Sequence, residues 1–190
     1  MDPTVLAIFL IATAAMMLIE RFGAPVTLQL TFKGDLKRES RWFAQYGQGA
    51  CAVVVALVLW RLDRRLLHSA IPVFAPLLAA VFATGLVGVL MKRLLGRVRP
   101  NRENAGRFLG PTFRHVNSRE SFPSSHTASA VAMTVVLAHF YPPAAAIFWT
   151  LAIICAGLRY LMDAHWPSDI LAGVTLGYGV AWLTLRLLQV

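Results

Sequence analysis

Ser121 to Leu158 reads SFPSSHTASAVAMTVVLAHFYPPAAAIFWTLAIICAGL, a run without lysine, arginine, aspartate or glutamate. It is too long for one bilayer crossing, since about 20 apolar residues span roughly 30 Å of hydrocarbon. Pro142-Pro143 stands near its middle, and proline inside a helix removes a backbone hydrogen bond and clashes with the preceding turn. The run therefore divides into two apolar helices joined by a tight turn. Its opening residues, Phe122-Pro123-Ser124-Ser125-His126-Thr127, follow a strongly basic stretch. Between Met91 and Glu120 lie Lys92, Arg93, Arg97, Arg99, Arg102, Arg107, Arg114 and Arg119, against only Glu103 and Glu120. Proline, serines and a histidine at the mouth of an apolar helix, beside so many cations, read as an oxyanion site.

The rest of the chain has the same apolar character. Of its residues 57% are hydrophobic and 14% charged, and the mean hydropathy is +0.62. Pro3 to Ile19 is uncharged and lacks the basic leader of a secretory signal, so it reads as a first span closed by Glu20 and Arg21 and broken at Gly23 and Pro25. Further spans follow, giving expected crossings at 3–21, 43–61, 70–92, 123–141, 143–161 and 168–187. Lys33 to Gln48 differs in kind. Leu36, Phe43 and Tyr46, flanked by Trp42, share a helix face opposite Lys33, Lys37, Arg38, Glu39 and Arg41, with Asp35 as a candidate N-cap. Such a segment suits a helix lying on lipid headgroups, although a solvated loop helix fits the pattern as well. His68 reads as an exposed loop residue, and Gly173 with Gly177 as a small-residue packing face. The expectation is an all-α membrane protein of one domain, 1–190: a six-transmembrane-helix bundle with an interfacial helix after the first span and the active site at one membrane face.

The net charge of +9 does not point to nucleic acid, because the excess is concentrated in one loop between apolar segments and no nucleic-acid motif accompanies it. Cys51 and Cys155 both fall inside apolar runs, so no disulfide framework is implied.

Topology gathers the remaining polar residues. The third span ends in the basic loop and the fourth begins there; the fourth crosses, turns at Pro142-Pro143, and the fifth returns. Arg159 to Asp169 must then share a membrane face with Lys92 to His126. Each group on that face has a chemical use. The free N–H groups of the helix turn entered at Pro123-Ser124 favour a bound phosphate, with Ser124 as N-cap or anion ligand. Lys92, Arg99 and Arg159 offer charge and paired donors to its oxygens. A carboxylate bonded to one imidazole nitrogen, as Asp169 is placed to be for His165, fixes the tautomer and frees the other nitrogen to attack. Two histidines then divide the work, one attacking phosphorus and one protonating the leaving alkoxide. Singly, each residue reads as an anchor, a snorkelling lysine or a satisfied polar group; together on one face they do not.

Lys92-x6-Arg99-Pro100, Pro123-Ser124-Ser125-His126 and Arg159-x5-His165-x3-Asp169 resemble the three-part signature of the type 2 phosphatidic acid phosphatase superfamily. The resemblance implies that His165 is the nucleophile forming a phosphohistidine, Asp169 its orienting partner and His126 the general acid that later activates water. Lys92, Arg99, Ser124, Ser125 (through its backbone N–H) and Arg159 would hold the phosphate. It implies no metal and no cofactor, a membrane lipid phosphate as substrate, the bilayer as surroundings and no obligate protein partner. Two positions depart from the pattern: Leu158 stands where serine is frequent, and Ser125 where glycine is. The soluble haloperoxidases share the signature, but the six apolar spans argue against that branch.

Candidate substrates are undecaprenyl diphosphate, phosphatidylglycerol phosphate, phosphatidic acid and the lipid A phosphates. A lipid-to-lipid phosphotransferase would use the same site. A non-catalytic anionic-lipid binder or transporter would use the same arginines without needing His165. The resemblance also implies a bacterial inner membrane with the site on the periplasmic face. The arginine and lysine balance outside the site is five against four and does not decide orientation.

Overall fold

A computed structural model of the chain describes residues 2–23, 34–66, 71–112 and 114–190, with side chains from residue 38 in the second of these segments and to residue 62. The expected break at Pro25, the start of the amphipathic segment at Lys33 and the loop histidine His68 lie outside the described residues, as do the side chains of Asp35, Leu36 and Lys37.

Regular structure among the described residues is helical, apart from an isolated antiparallel bridge between Arg97 and Phe108. The helices are α1 (Pro3–Arg21), α2 (Gly34–Ala44), α3 (Gly49–Leu66), α4 (Phe74–Leu95), α5 (Ser125–Phe140), α6 (Ala145–Leu161) and α7 (Pro167–Leu187). Their ends follow local chemistry. Asp2 accepts from Thr4 N at 2.8 Å to cap α1, with proline at its first position. A 3₁₀ turn at Pro142–Ala144 separates α5 from α6 where the proline pair was expected to break the run.

Among the described residues, four helices are long and apolar enough to cross a membrane: α1, α4, α7 and the segment Pro142–Leu161. The pair Arg38–Gly47 and Gly49–Leu62, bent by 61°, makes a fifth if taken as one span. The expected span at 43–61 is therefore not a straight helix. It contains the end of α2, a 3₁₀ turn at Gln45–Gly47 and most of α3. On α2, Trp42 and Phe43 are exposed while Ser40 and Ala44 are buried.

At 16 residues α5 is shorter, and it forms the centre of the bundle. Thr127, Ala128 and every residue from Ala130 to Leu137 are buried, so the helix has no polar face. It packs against α4, α6 and α7, and α1 closes on α7. Small residues make the α5–α7 approach possible. A Cβ on Gly177 would lie 2.2 Å from the Ala128 carbonyl oxygen, and one on Gly173 2.7 Å from that of Ser124. The outer surface is apolar instead of the reverse. Ile11 is 70% exposed, and Ile8, Leu57, Phe82, Leu86, Ile147 and Ile153 also face outward, as suits a surface solvated by lipid tails.

Between α4 and α5 the basic stretch folds back on itself. Val98 and Gly106 donate to the carbonyls of Arg107 and Val98 at 2.9 and 3.1 Å, and Leu109 N donates to Gly96 O at 3.2 Å. This loop covers the end of the bundle where α4, α5, α6 and α7 meet.

Candidate active site

The ends of those helices carry the residues singled out above. Lys92 lies in the last turn of α4, Ser125 and His126 open α5, Arg159 closes α6, and His165 and Asp169 flank the start of α7. The two polar inserts touch directly: Ser124 N donates to Asp169 O at 2.9 Å, and the His165 ring bonds to Ser121 O. Lys92, Arg99, Arg159 and His165 all act electrostatically on His126. Ser125 Oγ is 3.8 Å from where a Cβ on Gly88 would stand, one helical turn before Lys92. The eight residues thus occupy one end of the bundle.

His165 is 2% exposed. Its Nδ1 lies 2.8 Å from Ser121 O but 3.6 Å from Asp169 Oδ2. The first is a hydrogen bond and the second is beyond that range. A carbonyl only accepts, so Nδ1 carries the proton and Nε2 keeps its lone pair. The tautomer expected from a direct Asp169 bond is therefore set by a backbone carbonyl, with Asp169 behind it. Burial pushes the His165 imidazole down to about 4, against the raising effect of Asp169, so the ring is neutral near pH 7.

Asp169 is itself fully enclosed. Its Oδ1 accepts from Arg97 NH1 at 2.6 Å, and its Oδ2 accepts from Trp166 N at 2.9 Å and from Ser121 Oγ. Trp166 is the N-cap of α7 and Asp169 its third residue, so one carboxylate caps the helix and supports the His165 carbonyl partner.

The cations are arranged differently from one another. Arg99 donates to the carbonyls of Asn117 and Ala164 at 2.8 Å each and to Glu120 O at 3.4 Å, which pins its guanidinium. Arg159 Nε is buried with no hydrogen-bond partner among the described residues. None of Lys92, Arg99 and Arg159 has a carboxylate within ion-pair distance there, unlike Arg93 and Arg97. Buried cations without counter-charge favour an anion among them. A metal ion would be repelled by the same charges. Ser124 occupies the N-cap position of α5, but its hydroxyl makes no capping bond and accepts instead from Thr127 Oγ at 3.0 Å. The N–H groups of the first turn are left to a ligand.

Sequence reasoning missed several supports. Gln48 Nε2 lies 3.5 Å from His126 Nε2, at the bend between α2 and α3. A Cβ on Gly47 would fall 2.1 Å from the His126 carbonyl oxygen, so that bend seats on the first turn of α5. Arg97, Ser121 and Glu20 were also missed as a group. Only Arg97 had a visible signal, its place two residues before Arg99. Cys51 and Cys155 are free, as their apolar settings implied. A cavity of about 690 Å³ opens between α1 and the basic loop, lined by Met17, Leu18, Arg21, Arg107, Phe108 and Trp166 among others.

Comparison with known proteins follows the same division. The PAP2 superfamily model matches residues 73–190. Lipid A 1-phosphatases of Rhizobium johnstonii and Rhizobium etli are 35% and 34% identical over 112 residues, which is 58% of this chain and 45% and 47% of theirs. The chain spans under half the length of these relatives. Among solved structures, Aquifex aeolicus LpxE superposes with a TM-score of 0.65 at 20% identity, covering 82% of this chain and 88% of that one. The first transmembrane PAP2-type phosphatidylglycerolphosphate phosphatase from Bacillus subtilis gives 0.69 at 20% identity, covering 98% and 96%. These two share the fold.

Proposed function

The chain belongs to the PAP2 superfamily, and from its site we propose that it is a lipid phosphate phosphatase working through a phosphohistidine at His165. The observation that carries this reading is a buried, neutral imidazole with its Nδ1–H bonded to Ser121 O, at the same end of the bundle as Lys92, Arg99 and Arg159, none of which has a carboxylate within ion-pair distance among the described residues.

In the proposed reaction His165 Nε2 attacks phosphorus, forming a P–N bond as the P–O bond to the lipid breaks. His126 gives its proton to the departing alkoxide. The Nδ1 proton stays on His165, and the Ser121 carbonyl, backed by anionic Asp169, stabilises the positive charge that builds on the ring. Lys92, Arg99, Arg159 and the α5 first-turn N–H groups of Ser125 and its neighbours offset charge on the equatorial oxygens. Water then attacks the phosphohistidine and gives a proton to His126. Phosphate leaves and the enzyme returns to its starting state. No step calls for a metal.

Six crossings follow if α1, α3, α4, α5, α6 and α7 each span the bilayer, with α5 shielded by the others and α2 at the headgroups. The site then lies at one interface, where a lipid phosphate reaches it from the membrane plane. By the family resemblance this is the periplasmic face of a bacterial inner membrane. Among the candidate substrates a lipid A-type phosphate is favoured, because the two Rhizobium relatives are named for lipid A 1-phosphate.

The test is phosphate release by purified protein from a panel of lipid A 1-phosphate, undecaprenyl diphosphate, phosphatidylglycerol phosphate and phosphatidic acid, with chelator present. Release from the lipid A substrate, lost in His165→Ala, is expected. A reaction stopped by chelator alone would refute the metal-free mechanism. Transfer of labelled phosphate to a second lipid, in place of release, would make the protein a phosphotransferase.

A further inference from the structure

We propose that Glu20 of α1 and Arg97 of the basic loop are positioning residues that hold the Asp169–Ser121–His165 unit in register for attack, a role resting on the phosphatase reading above. Neither belongs to the three motifs, and Glu20 lies outside the 73–190 match.

The geometry is a closed relay. Arg97 NH2 donates to Glu20 Oε2 at 2.6 Å, and Arg97 NH1 donates to Asp169 Oδ1 at 2.6 Å. Ser168 joins both sides: its N–H donates to Glu20 Oε1 at 2.8 Å and its hydroxyl to Glu20 Oε2 at 2.5 Å, while it accepts from Arg97 NH1 at 2.6 Å. The side chains of Arg97 and Glu20 are each 4% exposed. A guanidinium shared by two buried carboxylates has little freedom, because moving from either leaves a buried charge uncompensated. The faces of Phe108 and Trp166, with centroids 5.1 and 5.4 Å from the guanidinium carbon, confine it further.

Arg97 grips Ser121 in two ways. Its carbonyl accepts from Ser121 N at 3.0 Å. Its side chain fixes Asp169, which accepts from Ser121 Oγ. Ser121 is the residue whose carbonyl takes the His165 Nδ1 proton. Glu20 completes the set by holding the guanidinium and capping the first turn of α7 through Ser168 N. Thus the N-terminal helix reaches the nucleophile through Glu20, Arg97, Asp169 and Ser121, without touching substrate.

The test replaces Glu20 by glutamine, which keeps its shape and removes its charge, with phosphate release and folding measured together. Because small misplacements of a reacting group are costly, kcat is expected to fall by roughly 10–10² fold with KM nearly unchanged. Introduced beside Asp169→Asn, the same change is expected to cost under about threefold, since the two act through one path. Arg97→Lys, which keeps charge but loses the planar fork, is expected to behave alike and serves if Glu20→Gln does not accumulate. In ¹⁵N-histidine-labelled protein, Glu20→Gln is expected to shift the His165 Nδ1–H resonance. A folded Glu20→Gln protein with full kcat, losses that multiply with Asp169→Asn, or an unmoved resonance would each overturn the proposal. Wild-type protein that releases no phosphate would instead overturn the phosphatase reading, and the resonance measurement still decides the positioning role.

Discussion

The protonation state of His165 is set by what surrounds it. With Nδ1–H committed to Ser121 O and the ring pushed down to about 4, the imidazole is neutral, with Nε2 available for the proposed attack. The sign follows from linkage. A depressed folded-state value means that the unfolded chain binds the proton more readily, so stability from this group is present above pH 6.5 and lost as pH falls towards 4. NMR of the labelled ring is therefore expected to show protonated Nδ1 and bare Nε2 at pH 6, and an imidazolium at that pH would contradict it. Ser121→Ala keeps the carbonyl and removes the hydroxyl that donates to Asp169. It is expected to slow turnover without abolishing it, as measured by phosphate release. His126→Ala is expected to slow release by roughly 10²–10⁴ fold for an alkoxide leaving group, and by much less for a good one. Equal losses on both would remove His126 from the acid role. These two histidines stood out in the sequence as candidates because residue type and local spacing single them out. Ser121 was not, because its contribution is a backbone carbonyl that any residue could supply.

At the level of elements, the site depends on how closely α7 and the α2–α3 bend approach α5. Gly177 has no room for a methyl group against Ala128, whereas Gly157 faces open space. Gly177→Ala is expected to destabilise the bundle by about 1–3 kcal/mol in detergent unfolding, while Gly157→Ala leaves the midpoint nearly unchanged. Similar midpoints for both would show that the α5–α7 seam yields. The Gly173–Gly177 spacing announced a packing face, yet nothing local said that α5 was its partner. The 3₁₀ turn at Gln45–Gly47 escaped altogether. Its glycine and Gln48 matter through contact with His126, far along the chain, and its bend interrupts what reads as one apolar run.

For the molecule as a whole, hydropathy and the proline pair at 142–143 sufficed to foresee a helical bundle with the polar inserts on one face. They could not reveal Glu20, which closes an apolar helix as charged residues commonly do. Its partners Arg97 and Ser168 are distant in sequence, and only packing of α1 against α7 brings them together. The bundle so assembled puts the buried His165 imidazole at the same end as Lys92, Arg99 and Arg159, and the proposed mechanism requires a covalent intermediate on that ring. Brief incubation with a lipid A analogue radiolabelled at the 1-phosphate, in chelator, followed by rapid quenching and peptide mapping, tests it. The expected result is an acid-labile, alkali-stable label on the peptide bearing His165, present in wild type and absent in His165→Ala. Label on another residue, or turnover that persists in His165→Ala, would contradict it.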